Sequence, residues 1–322
     1  MESPSDNYVV NETDDTLTVS GGIIICWIMC VVTVFGNSLV ILAFITETSL
    51  RLKPANLFIL NLSLADFFVG AFSFPPFTLL NMFGYWPFGE GVCKMWLIID
   101  YTACGVSVCG IILISLDRYW MLKMKLKYRQ FQTTKRVTVM ILVSWAILIP
   151  FYTLSILFWE KFRGEQTIDY SKEECGKELK ESTSYSLVNL FVYFVTPLTI
   201  IIYLNSYVFK EIRHRTRTNP IIAFSTQWNV NTEMSSSMRR HRKAAVTLAV
   251  LLCAFIICWT PYCTVLFLSS VSDYSPDEIV YAVLLYLVWS NSAINPLIYA
   301  LTNLKIRNVF FKILRLKCFK WN

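Results

Sequence analysis

The chain has 322 residues, is 55% hydrophobic, and carries a formal charge of +7 with a mean hydropathy of +0.50. That is too apolar for an ordinary water-soluble domain of this length. The basic residues flank apolar runs, which is a membrane pattern and argues against nucleic acid as a partner.

Residues 1–19 are polar and acidic, with Glu2, Asp6, Glu12, Asp14 and Asp15. They lack the basic region and short apolar core of a cleavable signal peptide, so the first apolar run is expected to act as its own insertion signal. Asn11-Glu12-Thr13 is a glycosylation sequon in this tail. Seven apolar runs follow, at about 20–45, 55–81, 91–121, 136–158, 184–212, 243–270 and 279–302. Each is long enough, at about 20 residues, to cross a bilayer. The expectation is an all-α membrane protein: a seven-helix bundle over 20–302, an exterior tail over 1–19 and an amphipathic helix with a short cytoplasmic tail over 303–322.

Orientation follows from charge. With the N-terminus outside, 23 of the 29 Lys and Arg lie at or beyond the cytoplasmic ends of the spans. The exterior holds only Lys94, Lys161, Arg163, Lys172, Lys177 and Lys180. Basic residues concentrate on the cytoplasmic side of membrane proteins, so the chain is expected in the plasma membrane with its N-terminus extracellular.

Two loops are long. Residues 159–183 are rich in Glu and Lys, and residues 213–240 carry Asn219-Pro220 and a Ser run. After Pro296, Leu304, Val309, Phe310, Ile313 and Leu314 alternate with Lys305, Arg307, Lys312, Arg315 and Lys317. This is the pattern of a helix lying on the inner leaflet. Cys318 at its end is a palmitoylation candidate, with a free cytosolic thiol as the alternative. Most of the ten Cys sit inside spans as small apolar residues. Cys93 and Cys175 differ: both face the oxidising exterior and can pair, tying the long loop over the third span.

Ionisable residues inside spans are costly and mark function. Asp100 and the triplet Asp117-Arg118-Tyr119 share the third span, 18 residues apart from Asp100 to Arg118. On a helix this is about five turns and a rise of roughly 27 Å, so both face one way at opposite membrane faces. The spans offer Asp100 no Lys or Arg at its depth, and a carboxylate there needs a ligand cation or a proton. Tyr101, Trp259, Tyr262, Tyr286 and Trp289 fall at a similar level. Aromatic faces around one carboxylate suit an ammonium ion; without Asp100 such a set is ordinary core.

Asp66 is the second candidate. Asn37, Ser107, Asn291, Ser292 and Asn295 share its depth. Oxygen ligands around one carboxylate suit a sodium ion or ordered water, and a purely structural hydrogen-bond network is the alternative. Pro261 and Pro296 each remove a helix hydrogen bond and are candidate hinges, or simply static bends.

Gly36-Asn37, Leu64-Ala65-Asp66, Cys93, Asp117-Arg118-Tyr119, Trp145, Pro197, Cys258-Trp259-Thr260-Pro261-Tyr262 and Asn295-Pro296-x-x-Tyr299 occur once each and in order. Together they resemble the rhodopsin-type G-protein-coupled receptors over nearly the whole chain. Asp100, Trp86-Pro87-Phe88-Gly89 and Asn291-Ser292 resemble the biogenic-amine branch. Asp100-Tyr101, Cys104, Phe67-Phe68-Val69-Gly70, Trp289 and Cys263 are most similar to the histamine type-3 and type-4 receptors. The resemblance implies a small cationic amine, histamine-like, bound by Asp100, Tyr101, Cys104, Asn189, Tyr193, Trp259, Tyr262, Tyr286 and Trp289. It also implies a switch at Asp117, Arg118, Tyr119 and Tyr299, and a heterotrimeric G protein of the inhibitory class as partner.

Two positions depart from that pattern. The histamine receptors in question carry an acidic residue in the fifth span where this chain has Tyr193, one turn after Asn189. An acidic residue that restrains the arginine in many relatives is here His241, within Arg239-Arg240-His241-Arg242. The second departure implies signalling without ligand. The other classes fare worse. A retinal-binding light sensor needs a Lys that 279–302 lacks, a transporter usually shows repeats or broken helices, and an enzyme needs a metal cluster or nucleophile–base pair that is not visible. A peptide receptor remains the remote alternative, through the acidic tail.

Overall fold

The computed structural model describes residues 12–163, 175–176, 182–218, 233–272, 274 and 276–314. Asn11, Cys318 and most of the 159–183 and 213–240 loops lie outside the described residues, as does the side chain of His241. The chain forms α1 (Glu12–Thr46), α2 (Asn56–Phe68 continuing through Phe74–Phe83), α3 (Gly89–Met124), α4 (Thr134–Arg163), α5 (Thr183–Leu190 continuing through Thr196–Thr218), α6 (Glu233–Val271), α7 (Glu278–Thr302) and α8 (Leu304–Ile313). Seven of these are long and apolar enough to cross a membrane. The span limits agree with the apolar runs within a few residues, except that the third continues to Phe131 through single turns at Lys125–Lys127 and Tyr128–Phe131.

Helices α2 and α5 each contain one π turn, at Val69–Ser73 and Phe191–Val195. Prolines follow both: Pro75 and Pro76 in α2, Pro197 in α5. A proline has no N–H for the carbonyl four residues earlier, and the helix widens where that bond is missing. The π turns carry Ser73 and Tyr193, and both residues matter at the site.

Prolines also sit inside α6 and α7, yet both helices run without a break. In α7, Pro296 leaves the Ser292 carbonyl without its helix partner. Asn37 of α1 fills that place, donating from Nδ2 to the Ser292 carbonyl at 3.1 Å. A Cβ on Gly36 would meet the Pro296 ring at 3.1 Å, so glycine lets α1 approach this closely. The Gly36-Asn37 pair is thus the seat of Pro296.

Helix α3 runs through the middle and packs against α2, α4 and α5. Trp145 of α4 donates its indole N–H to Asn61 Oδ1 of α2 at 2.8 Å. Asn303 caps α8 by accepting from the Lys305 N–H at 3.1 Å. Ile306 and Val309 are buried against the bundle, leaving Leu304 and Leu314 exposed on the outside. The amphipathic stripe serves the protein as well as the leaflet.

Candidate functional site

Cys93, at the start of α3, is bonded to Cys175, with their Cα atoms 5.7 Å apart. Gly176 follows in a left-handed conformation (φ +80°), and a Cβ there would sit 3.1 Å from Leu97. The bridge therefore holds Cys175 and Gly176 against the first turns of α3. Beneath it opens a cavity lined by α2, α3, α5, α6 and α7.

Asp100 projects from α3 into this cavity and is the one charged residue lining it among the described residues. Ser73, Trp289 and Cys104 stand beside its carboxylate. Of these, Cys104 approaches within hydrogen-bond range, thiol to Oδ1 at 3.7 Å. A thiol is a weak donor. The Ser73 hydroxyl is buried without a hydrogen-bond partner. A buried carboxylate so thinly served needs either a cation or a proton.

The walls are aromatic. Tyr101, Tyr193, Trp259, Tyr262 and Trp289 line the cavity with Cys104 and Asn189. Tyr286 does not: its hydroxyl lies 3.1 Å from that of Thr78. Its ring packs on Phe74 and Phe77 at 6.0 and 5.4 Å. The direction of α7 at that turn points Tyr286 toward α2, so it supports the floor from behind. Sequence reasoning missed Phe77, Trp96 and Tyr281, which also line the cavity, and Tyr152 behind them. Tyr152 of α4 forms a three-ring cluster with Tyr101 and Tyr193, its centroid 5.5 and 5.6 Å from theirs, which are 6.1 Å apart. No local pattern marks it, because α4 is apolar on every side.

Below the cavity, Asp66 is fully buried. Its Oδ1 accepts from Ser107 at 2.7 Å and from Ser292 at 2.8 Å, and its Oδ2 accepts from Asn295 Nδ2 at 2.7 Å. Asn37 joins through the Ser292 carbonyl. Asn291 is buried, but its Oδ1 has no partner and no bond to Asp66. The donor set is oxygen only: one carboxylate, two hydroxyls able to turn, and the orphaned amide oxygens of Asn37, Asn291 and Asn295. Those ligand types fit a small hard cation such as sodium. Groups of three His, Cys, Asp or Glu, which would suit a transition metal, are absent among the described residues.

At the opposite end of α3, Asp117 is buried and Arg118 half-exposed. They pair at 3.8 Å through Asp117 Oδ2, which makes no hydrogen bond. The other oxygen accepts from Tyr128 at 2.7 Å and Gln132 at 2.8 Å, two residues the motif does not include. Tyr119 turns to α5, its ring 4.7 Å from Tyr207, and accepts from Lys123 at 2.7 Å. The Tyr299 hydroxyl is buried without a partner. Arg215 of α5 donates to the Leu122 carbonyl at 2.8 Å and closes the gap between α5 and α3.

Comparison with known proteins agrees with this geometry. Residues 36–299 match the family described as 7 transmembrane receptor (rhodopsin family). The chain is 30% identical to the histamine H4 receptor of Rattus norvegicus, over 87% of this chain and 88% of that receptor. It is 30% identical to the human histamine H2 receptor, over 94% of this chain and 80% of that one. It is 28% identical to the mouse alpha-1D adrenergic receptor over 88% of this chain, but spans only 55% of that relative. These relatives are receptors and not enzymes. The chain belongs to the rhodopsin family of seven-transmembrane receptors, among relatives that include the histamine and adrenergic receptors.

Proposed function

We propose that the chain is a plasma-membrane receptor for a small extracellular amine. The observation that carries this is Asp100: one carboxylate in an aromatic cavity that no cation lines among the described residues. An ammonium ion pairs with it and packs on the faces of Trp259, Tyr262 and Trp289. Histamine is the first amine to try, because histamine receptors are among the relatives. Another monoamine is the second reading. Tyr193 favours it, since a phenol supplies no second charge for a polar ring.

The output is a heterotrimeric G protein, for which the resemblance favours the inhibitory class. The ligand binds one helix arrangement more tightly than the other, and this difference shifts the equilibrium. Pro261 supplies the hinge of α6, and the Asp66 network repacks with Asn295. Arg118 and the basic ends of α5 and α6 then meet the G protein. The loose pairing of Arg118 with Asp117 supports signalling without ligand. A sodium ion at Asp66 would favour one of the two arrangements.

The test is amine-stimulated nucleotide exchange on an inhibitory G protein, in membranes carrying the chain or its Asp100→Asn form. A response confined to the unmodified chain supports receptor, amine and anchor together. An equal response from both forms overturns the anchor.

A further inference from the structure

Helix α3 ends at Met124, and the chain turns away at Lys125 with φ +49°. The last four carbonyls of a helix lack the amide that a further turn would bring. Leu122 carries one of these four, and the residue is buried. A carbonyl shut in there needs a donor from elsewhere. Arg215 of α5 supplies it, from Nη2 at 2.8 Å. Glu211, one turn earlier on α5, accepts from Arg215 Nε at 2.8 Å. A planar guanidinium held at one edge presents its other nitrogens in a fixed direction. Its charge also lies at the negative end of α3, which a helix favours.

The bond belongs to a seam. Tyr119 and Leu122 are three residues apart on α3, and Tyr207, Glu211 and Arg215 follow at four-residue steps on α5. Each set shares one face of its helix. The rings of Tyr119 and Tyr207 meet at 4.7 Å, about two turns of α5 before Arg215. Lys125 is the one non-glycine residue with positive φ among the described residues. Such a backbone is costly and persists where its neighbours enforce it. Arg215 holds the chain before the turn, and Tyr128 and Gln132 hold it after, through Asp117. By contrast, the pairing of Arg118 with Asp117 is loose, at 3.8 Å.

We propose that Arg215, oriented by Glu211, is a clasp that keeps the inner end of α5 on α3 and limits signalling without ligand. The clasp rests on the G-protein reading above and adds a restraint to it: the cleft beside Arg118 widens when α5 leaves this seam. Arg215 belongs to the basic end of α5, yet its charge is turned inward onto α3. Plain attraction between that basic end and a partner predicts that losing Arg215 weakens signalling. A clasp predicts the reverse.

Two variants separate these outcomes. Arg215→Met removes the donor. Glu211→Arg combined with Arg215→Glu keeps the net charge of α5 but moves the guanidinium one turn away from Leu122. Amide hydrogen exchange over residues 120–128 is followed in purified receptor without G protein, and nucleotide exchange without ligand is followed in membranes. Both variants are expected to speed amide exchange at the end of α3. Both are expected to raise nucleotide exchange about threefold or more, as for the loss of a hydrogen bond to a charged group. Faster amide exchange with nucleotide exchange unchanged or lower makes Arg215 a helix cap or a docking residue, and overturns the clasp while the receptor reading stands. Unaltered amide exchange overturns the clasp as well. Nucleotide exchange absent from every form, with and without amine, removes the G-protein reading and the clasp together. The charge-swapped chain decides alone where Arg215→Met does not fold.

Discussion

The Tyr128 hydroxyl donates to Asp117 at 2.7 Å, and this bond holds the carboxylate away from its neighbour Arg118. Gln132 adds a second donor to the same oxygen at 2.8 Å. What remains for Arg118 is the other oxygen at 3.8 Å, beyond a charge-assisted hydrogen bond. Arg118 also reaches the Met121 sulfur, a weak acceptor, at 3.8 Å. Arg118 is thus lightly restrained.

Releasing Asp117 is therefore expected to quiet the receptor. A hydrogen bond to a charged group contributes about 1.5–3 kcal/mol. In Tyr128→Phe the carboxylate is free to turn to Arg118, and nucleotide exchange without ligand is expected to fall roughly tenfold or less per 1.4 kcal/mol transferred. His241→Glu is expected to lower it too, by restoring an acidic partner from α6. Basal exchange no higher than in membranes lacking the chain, and unmoved by either change, would remove the loose arginine as an explanation.

Truncating the anchor is the most direct check on the cavity. Asp100→Ala breaks a buried charge pair with the ligand, which costs on the order of 2–5 kcal/mol. Amine affinity is expected to drop about 30-fold or more. Cys104→Ala removes only a weak thiol donor and is expected to change affinity about threefold at most, well below a neutral hydrogen bond's upper range. A loss under threefold for Asp100→Ala in competition binding would sink the anchor assignment.

The oxygen set at Asp66 implies sensitivity to sodium. Amine affinity is expected to differ between sodium chloride and N-methylglucamine chloride at equal ionic strength, because a bound cation favours one helix arrangement. Asp66→Asn removes the single carboxylate and is expected to erase that difference. Equal salt dependence in both chains would leave Asp66 as a structural hydrogen-bond acceptor.

Close helix approaches predict where bulk is not tolerated. A Cβ on Gly70 would sit 2.9 Å from Thr33 Cγ2 and 3.0 Å from Val34 Cγ2. Gly70→Val is expected to cost about 1–3 kcal/mol through overpacking. The readout is the melting temperature of purified receptor, with Gly22→Val as the control, since nothing lies within 4 Å of that position. Equal melting of the two variants would show that α1 and α2 slide apart freely.

Much of this was legible in the chain, because a bilayer permits few solutions. Apolar runs of about 20 residues must be helices, since lipid offers no partner for a bare backbone group. The rotation per residue then put Asp100 and Arg118 on one face of α3 at opposite ends. The oxygen neighbours of Asp66 were legible for the same reason, as depth follows from position along a span. Asn291 shares the depth but makes no direct bond to Asp66, because depth does not say which way a side chain faces. Tyr286 failed similarly: it has the right height, but α7 turns it to Thr78.

By itself the sequence determined the number of spans and the height of the ionisable groups within them, both consequences of helix geometry and the insolubility of charge in lipid. The tertiary structure alone decided which groups meet across helices. Pro296 exposes a carbonyl, but only the approach of α1 at Gly36 brings Asn37 to it. Tyr193 carries a hydroxyl that any sequence reader would offer to a ligand, and the fold spends it on the backbone of Tyr101. Such pairings depend on helix rotation to within a fraction of a turn, which is set by the packing of all the helices at once and by no single segment.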